Sequence, residues 1–260
     1  MTTALTVKER FNATVDRVQL PAARLFGGDE TKAGIFLTAV QVAATNNPKI
    51  LQCSPTSLVK AMLKCAALQL MPDDGQDHVH LIPYNGELQV QLGFRGLIEL
   101  TERSGKIRKL EADVVYQDEI DRKLFSFRRS PFAVRHDGAL DVRRSNPEEL
   151  RAAYAWVELR SGGVVGVVLT RDEVLKAKSK AQGTSRSDSP WKQWPDRMWR
   201  KTAIKALINS GKVPKSPRQV MALEMEAGIE PALEIPVDEA LPSVAELVPD
   251  VSDLEPAGGE

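Results

Sequence analysis

The stretch HVHLIPYNGELQVQLGF, residues 78–94, limits what this chain can fold into more than any other, because it specifies a strand pairing by itself. Asn85-Gly86 is the strongest short signal for a two-residue hairpin turn, whose central positions need a positive φ. A turn there pairs Pro83 with Leu88, Leu81 with Val90 and Val79 with Leu92 on one face. Tyr84 with Glu87, Ile82 with Gln89 and His80 with Gln91 fall on the other. A slip of one residue would exchange the faces, so one apolar face and one mostly polar face report the register. Pro83 lands at a non-hydrogen-bonded pair, where its missing N–H points away from the partner, which marks an edge strand.

Before the hairpin the period is helical. VKERFNATVDRVQ, AGIFLTAVQVAATN and SPTSLVKAMLKCAALQL predict three helices within residues 5–70, the second closed by Asn46-Asn47-Pro48. The third opens with Ser54 as N-cap and Pro55 in the first turn, and Leu58, Met62, Cys65 and Leu68 recur at helical spacing up to Pro72. After the hairpin, RGLIELTERSG predicts a short helix stopped by Gly105, and IRKLEADVVY a strand. LFSFRRSPFAVRH and the pair RAAYAWVELR and VVGVVLT, joined through Ser161-Gly162-Gly163, predict more strands of an antiparallel sheet. TRDEVLKAKSKA begins with a capping box, Thr170 with Glu173, and predicts a basic helix. A loop over 183–190 and a helix running to about Asn209 follow. The class is therefore α+β: a helical N-terminal lobe at 1–72, an antiparallel sheet with flanking basic helices at 73–226, and a Pro-, Glu- and Ala-rich tail at 227–260 expected to be disordered. No internal repeat of 20–50 residues is present.

The net charge of zero conceals a division. The last basic residue is Arg218; residues 219–260 hold eleven acids and no Lys or Arg, which leaves 35 basic against 24 acidic side chains, a net +11, in residues 1–218. Residues 171–218 concentrate it, with thirteen basic side chains against four acids. A basic body with an acidic tail points to nucleic acid as partner and to the tail as a competitor for the same surface. No segment approaches the roughly 20 apolar residues of a membrane span, and MTTALTVKER lacks the apolar region of a signal peptide, so the expected location is the cytoplasm. Cys53 and Cys65 sit in apolar helical patterns and are expected to pack as small hydrophobes.

SPWKQWPDRMWRKTAIKAL, residues 189–207, interleaves three tryptophans with five basic side chains. On a continuous helix Trp194, Arg197, Lys201 and Lys205 share one stripe, and Trp199, Ala203, Ala206 and Leu207 take roughly the opposite side. Of two readings, all three tryptophans in the core with a solvated basic face, or Trp199 in the core with Arg197, Lys201 and Lys205 on phosphates, the net +9 of residues 171–218 favours the second. Lys176 and Lys178 on the preceding helix, Arg186 in the loop, Arg95 at a strand-to-helix corner, and Arg103, Lys106 and Arg108 around the Ser104-Gly105 turn complete the candidate nucleic-acid contacts.

Enzyme signatures are scarce. Ser210-Gly211-Lys212 has Ala206 where a P-loop needs its first glycine and Val213 where it needs a hydroxyl. His78 and His80, at strand spacing, lack further ligands for zinc. Asp73, Asp74 and Asp77 could be read as a two-metal nuclease site, but three acids in a Gly-containing turn more often solubilise a loop.

Taken together and in order, LQCSPTSLVKAMLKCAALQLMP, DHVHLIPYNGELQVQLGFRGLIELTERSGKI and SPWKQWPDRMWRKTAIKAL closed by KVPKS resemble the successive blocks of the RecT single-strand annealing proteins of phages and prophages, relatives of Redβ. The resemblance covers about residues 30–220. It implies ATP-independent annealing of complementary single strands in recombination by protomers assembled into rings or helical filaments, with single-stranded DNA and annealed duplex in a basic groove. No ATP or other cofactor is implied, Mg²⁺ modulates binding at most, and the implied partners are a phage exonuclease and the host single-strand binding protein. The implied fold has a curved antiparallel sheet, a long helix beside it and a helical lobe for assembly. Carried over by motif, Arg95, Arg103, Lys201 and Lys205 contact DNA, and Gly93, Gly96 and Gly105 shape the backbone. Gln69 stands where the family pattern has glycine. A non-annealing single-strand coating protein is the alternative.

Overall fold

A computed structural model describes residues 6–72, 75–181, 184–226 and 242–248. Its described residues form two compact units, one made of those up to Gly96 and from Pro217 on, the other of Leu97–Ser216.

The first unit begins with three helices, α1 (Val7–Leu25), α2 (Glu30–Asn46) and α3 (Pro55–Leu68). Thr6 and Glu9 close a capping box on α1, and Asp29 caps α2. Ser54 caps α3 by accepting from the Ser57 N–H at 3.2 Å, with Pro55 in the first turn as predicted. Their apolar faces meet in a core that includes Val18, Phe36, Val40, Met62 and both cysteines, and burial pushes the Cys53 thiol up. Gln69 ends α3 in the left-handed region, at φ 53, which is why glycine suits that position. Its Nε2 donates to the Leu25 carbonyl at 3.0 Å, a bond glycine could not make.

The predicted hairpin forms as β1 (Val79–Tyr84) and β2 (Glu87–Leu92), with all six predicted pairs in register. It is stitched to the start of α3. The Leu88 N–H donates to the Ser57 hydroxyl at 2.9 Å, the Ser54 N–H donates to the Gly86 carbonyl at 2.8 Å, and the Ser54 hydroxyl donates to Glu87 at 3.0 Å. These bonds place the hairpin in the helical unit, whereas the sequence pattern assigned it to the sheet. The chain leaves through Gly93 and α4 (Phe94–Glu102). A Cβ on Gly93 would lie 1.7 Å from the Asp77 carbonyl oxygen, and one on Gly96 2.2 Å from that of His78, so both glycines are close-approach positions.

The centre of the second unit is an antiparallel ladder of β3 (Ile107–Tyr116), β6 (Leu150–Leu159) and β7 (Val164–Thr170), in the order β3-β6-β7. The helical turn α5 (Gln117–Asp121) leads from β3 to a second hairpin, β4 (Phe125–Arg129) with β5 (Phe132–His136). The expected single sheet is thus three separate ladders among the described residues. The reason is that Phe125 and Val134 bury themselves against Ala152, Tyr154 and Val168 on the face of the central ladder. Gly166 leaves room for the Phe132 ring, since a Cβ there would lie 2.2 Å from it. The helices α6 (Arg171–Ser179), α7 (Pro190–Gln193) and α8 (Pro195–Asn209) follow, with α8 against β3, β6 and β7. The helix predicted to run through to Asn209 is broken at Trp194 (φ −136, ψ 62), because Pro195 disfavours the helical region for the residue before it.

The helix α9 (Pro217–Glu226) returns to the first unit, where the Arg218 Nε donates to the Ala67 carbonyl at 2.9 Å. Within the acidic tail, residues 227–241 and 249–260 lie outside the described residues. Between them a helical turn, α10 (Val244–Leu247), packs on α1 and α3 and buries Leu247.

Gly93→Ala and Gly96→Ala are each expected to destabilise the protein by about 1–3 kcal/mol or more, because backbone must move. Gly105→Ala, where φ is +68 but no atom lies within 4 Å, should cost about 1 kcal/mol. Urea melts of the three variants check the order.

Candidate nucleic-acid interface

The side of α8 that carries Trp199, Ala203 and Leu207 is buried, as expected. Ile204 and Ile208, three and seven residues beyond Lys201, widen that buried arc until it includes Lys201, which is only 7% exposed. The expected stripe of Trp194, Arg197, Lys201 and Lys205 therefore does not form as one surface. Arg197 is exposed, Lys205 is half-buried, and Trp194 stands in the break ahead of α8, 48% exposed. The two isoleucines at helical spacing were the signal that could have placed Lys201 inward.

Trp191 is buried on α7, and the Lys178 ammonium lies over its ring, 5.9 Å from the centroid. A cation on an aromatic face is attracted by the ring quadrupole, so α6 and α7 are held together by a pair the sequence had split between two roles. Lys176, two residues before Lys178 on α6, is exposed and makes no ion pair among the described residues.

Arg103, Lys106 and Arg108 are all exposed at the end of α4 and the start of β3. Arg103 pairs with Glu99 at 2.7 Å and Arg108 with Glu158 at 3.3 Å, while Lys106 has no ion-pair partner among the described residues. Arg186 pairs with Asp188 at 2.8 Å in the loop before α7. In the first unit Arg95 is exposed, its guanidinium 5.9 Å from the Phe94 ring centre. The central ladder separates two of the basic groups: Ile107 pairs with Leu159 at one end, while Thr170, which caps α6, pairs with Ala152 near the other.

A buried polar network was not foreseen. Glu119, 3% exposed, accepts from the Tyr116 N–H at 2.8 Å and lies 3.0 Å from His136 Nε2. His136 Nδ1 is 3.0 Å from the Tyr154 hydroxyl. Burial, followed by the negative charges of Asp113 and Glu111, pushes the Tyr154 phenol up to about 12, so it stays protonated at neutral pH. Arg144 joins Glu119 at 3.4 Å and Asp113 at 2.8 Å, and its guanidinium lies 5.6 Å from the Tyr116 ring centre. Arg200 of α8, 3.3 Å from Asp113 and 3.4 Å from Asp196, ties the helix to the same group. These contacts fasten α5, the end of β5 and α8 to the sheet. They are scattered over nearly ninety residues of sequence, with no motif to announce them.

Among the described residues no group of three or more His, Cys, Asp or Glu side chains is arranged to hold a metal ion. Asp73 and Asp74 of the suggested nuclease cluster lie outside those residues. No helix of the described residues is long and apolar enough to cross a membrane.

The chain is thus an α+β protein with a hairpin docked on a helical unit and with basic side chains spread over a second unit built around a three-stranded ladder. The RecT family model matches residues 35–221, and the chain belongs to the RecT family. It is similar to Protein RecT of Escherichia coli, 30% identical over 169 residues, which is 62% of this chain and 60% of that protein. It is also similar to the uncharacterized protein YqaK of Bacillus subtilis, 27% identical over 179 residues, 68% of this chain and 59% of that protein. The chain thus matches about three fifths of the length of these curated relatives.

Because the folded protein holds the Tyr154 proton that the unfolded chain releases above the ordinary phenol value of 10.0, the associated stability is complete below pH 10 and is lost as pH rises towards about 12. In an ultraviolet titration of tyrosinate formation, Tyr154 should ionise in a late step near pH 12, and Tyr154→Phe should lack that step.

Proposed function

We propose that this chain is an ATP-independent single-strand annealing protein that binds single-stranded DNA in a basic groove as an oligomer and promotes pairing of complementary strands in homologous recombination. The observation that carries the reading is family membership over residues 35–221, a span that holds the hairpin and most of the basic residues alike. The exposed cations Arg103, Lys106, Arg108, Lys176 and Arg197 support it, because neutralising phosphates is what two mutually repelling strands require before they can pair. Contacts to backbone leave base edges free, so complementarity rather than the protein reads sequence. Oligomerisation turns modest affinity per protomer into firm binding along a strand. Base pairing supplies the driving free energy, so no nucleotide hydrolysis and no covalent step are needed. Single strands from an exonuclease and hand-over from a single-strand binding protein complete the proposed setting, with Mg²⁺ as a modulator at most.

The test is annealing of two complementary dye-labelled oligonucleotides, without ATP and across a salt series. Wild type should accelerate pairing. Lys176→Ala with Arg197→Ala should slow it, with the fold intact. The same double variant should flatten the salt dependence of single-strand binding by about 0.7 logarithmic unit for each phosphate that is no longer neutralised. Lys201→Ala, in contrast, should lower the melting temperature, since its side chain is buried. Binding without faster pairing would replace annealing by a protective coat on the strand.

The tail gives a second prediction. Removing residues 227–260 takes away nine of the eleven terminal acids from a body of net +11. Single-strand binding at low salt should tighten, and the two proteins should converge at high salt where the Debye length is short. The loss of Leu247 from its site should cost no more than about 2 kcal/mol of stability.

A further inference from the structure

A cleft of about 460 Å³ opens in the second unit where β4 overhangs β6 and β7. Its volume is within the roughly 300–1,000 Å³ of small-ligand pockets. Alternation along β4 turns Phe125, Phe127 and Arg129 to one side. Phe125 forms a fixed inner wall: it stacks on Tyr154 with ring centres 5.7 Å apart and meets His136 edge-on at 5.4 Å, the two residues held by the Glu119 network. Phe127 lies 6.0 Å from Phe125 and remains 43% exposed. The floor is Ala152 and Val168, small apolar side chains.

The rim is cationic. Arg129 is exposed and makes no ion pair among the described residues. Arg151 is held in place by Gln117 at 2.6 Å and by the Glu148 carbonyl at 2.7 Å. No carboxylate is among the lining side chains. An exposed ring, a flat apolar floor and guanidinium groups at the mouth complement a planar aromatic group joined to an anion. They do not suit a cationic or purely aliphatic ligand.

We propose that this cleft is a nucleotide subsite: one unstacked base of single-stranded DNA lies against Phe127, and its phosphate is held by Arg129. The inference rests on the single-strand binding proposed above and deepens it. Duplex bases are stacked on both faces and cannot enter, so the cleft favours single strands. With Arg129 on the phosphate and Arg151 engaged by Gln117 and the Glu148 carbonyl, the other polar side chains at the slot, Ser126 and Thr170, are too few to read base edges, so it tolerates any sequence.

The experiment compares oligothymidylate with an abasic oligonucleotide of equal length by fluorescence anisotropy, using the full chain. Wild type should bind the base-bearing strand more tightly. Phe127→Ala should weaken that binding roughly five- to hundredfold while leaving abasic binding unchanged, and Phe127→Trp should restore it. Arg129→Ala should weaken binding of both strands and reduce the salt slope by about 0.7. An unchanged preference for bases in a folded Phe127→Ala protein would overturn the subsite. The same unchanged preference with a lower oligomer mass by sedimentation would assign the cleft to a neighbouring copy of the chain. If wild type binds neither strand, the annealing reading fails along with the subsite, whereas intact binding with no base dependence removes the subsite alone.

Discussion

The second unit depends on β6 being covered on both faces. Four consecutive side chains, Ala152, Ala153, Tyr154 and Ala155, are buried, although neighbours on a strand point to opposite sides. One face receives Phe125 and Val134 of the β4–β5 hairpin, and α8 packs against the ladder with Trp199, Ala203 and Leu207 turned inward. Alanine permits both layers to approach closely, and a larger residue would separate them. The hairpin is therefore a layer on the sheet rather than an extension of it, and the cleft beneath Phe127 exists because the layer overhangs its support.

With this packing set, charge is divided by depth. Arg144 and Arg200 lie partly covered beside Asp113, and Arg144 also reaches the buried Glu119. Removing one partner of such a group would leave a buried charge uncompensated. Arg103 and Arg108 form pairs in which both partners remain substantially exposed. Pairs of that kind contribute about 0–1 kcal/mol, so an arginine can exchange a carboxylate for a phosphate at little cost. The inner arginines are thus structural, and the outer pairs contribute little to the fold.

The first unit follows a similar economy of contact. Ser54 caps α3, and it and Ser57 both bond the hairpin, so one helix start secures two elements. Gly93 and Gly96 then let the outgoing chain pass against the backbone of Asp77 and His78. The glycines read as shape residues in the sequence are close-approach points for this reason.

The sequence by itself determined what depends on short spacing: the register of 79–92, the caps of α3 and α6, the inward face of Trp199, and the separation of a basic body from an acidic tail. Each follows from period, turn chemistry or counting, which act within a few residues. Only the tertiary structure decided that Lys201 turns inward, that the hairpin docks on α3, that Glu119, His136 and Tyr154 meet, and that Phe127 and Arg129 face a cleft floored by β6 and β7. Those outcomes depend on which layer covers which face. That is settled by packing between residues far apart in the chain, where local periodicity carries no information.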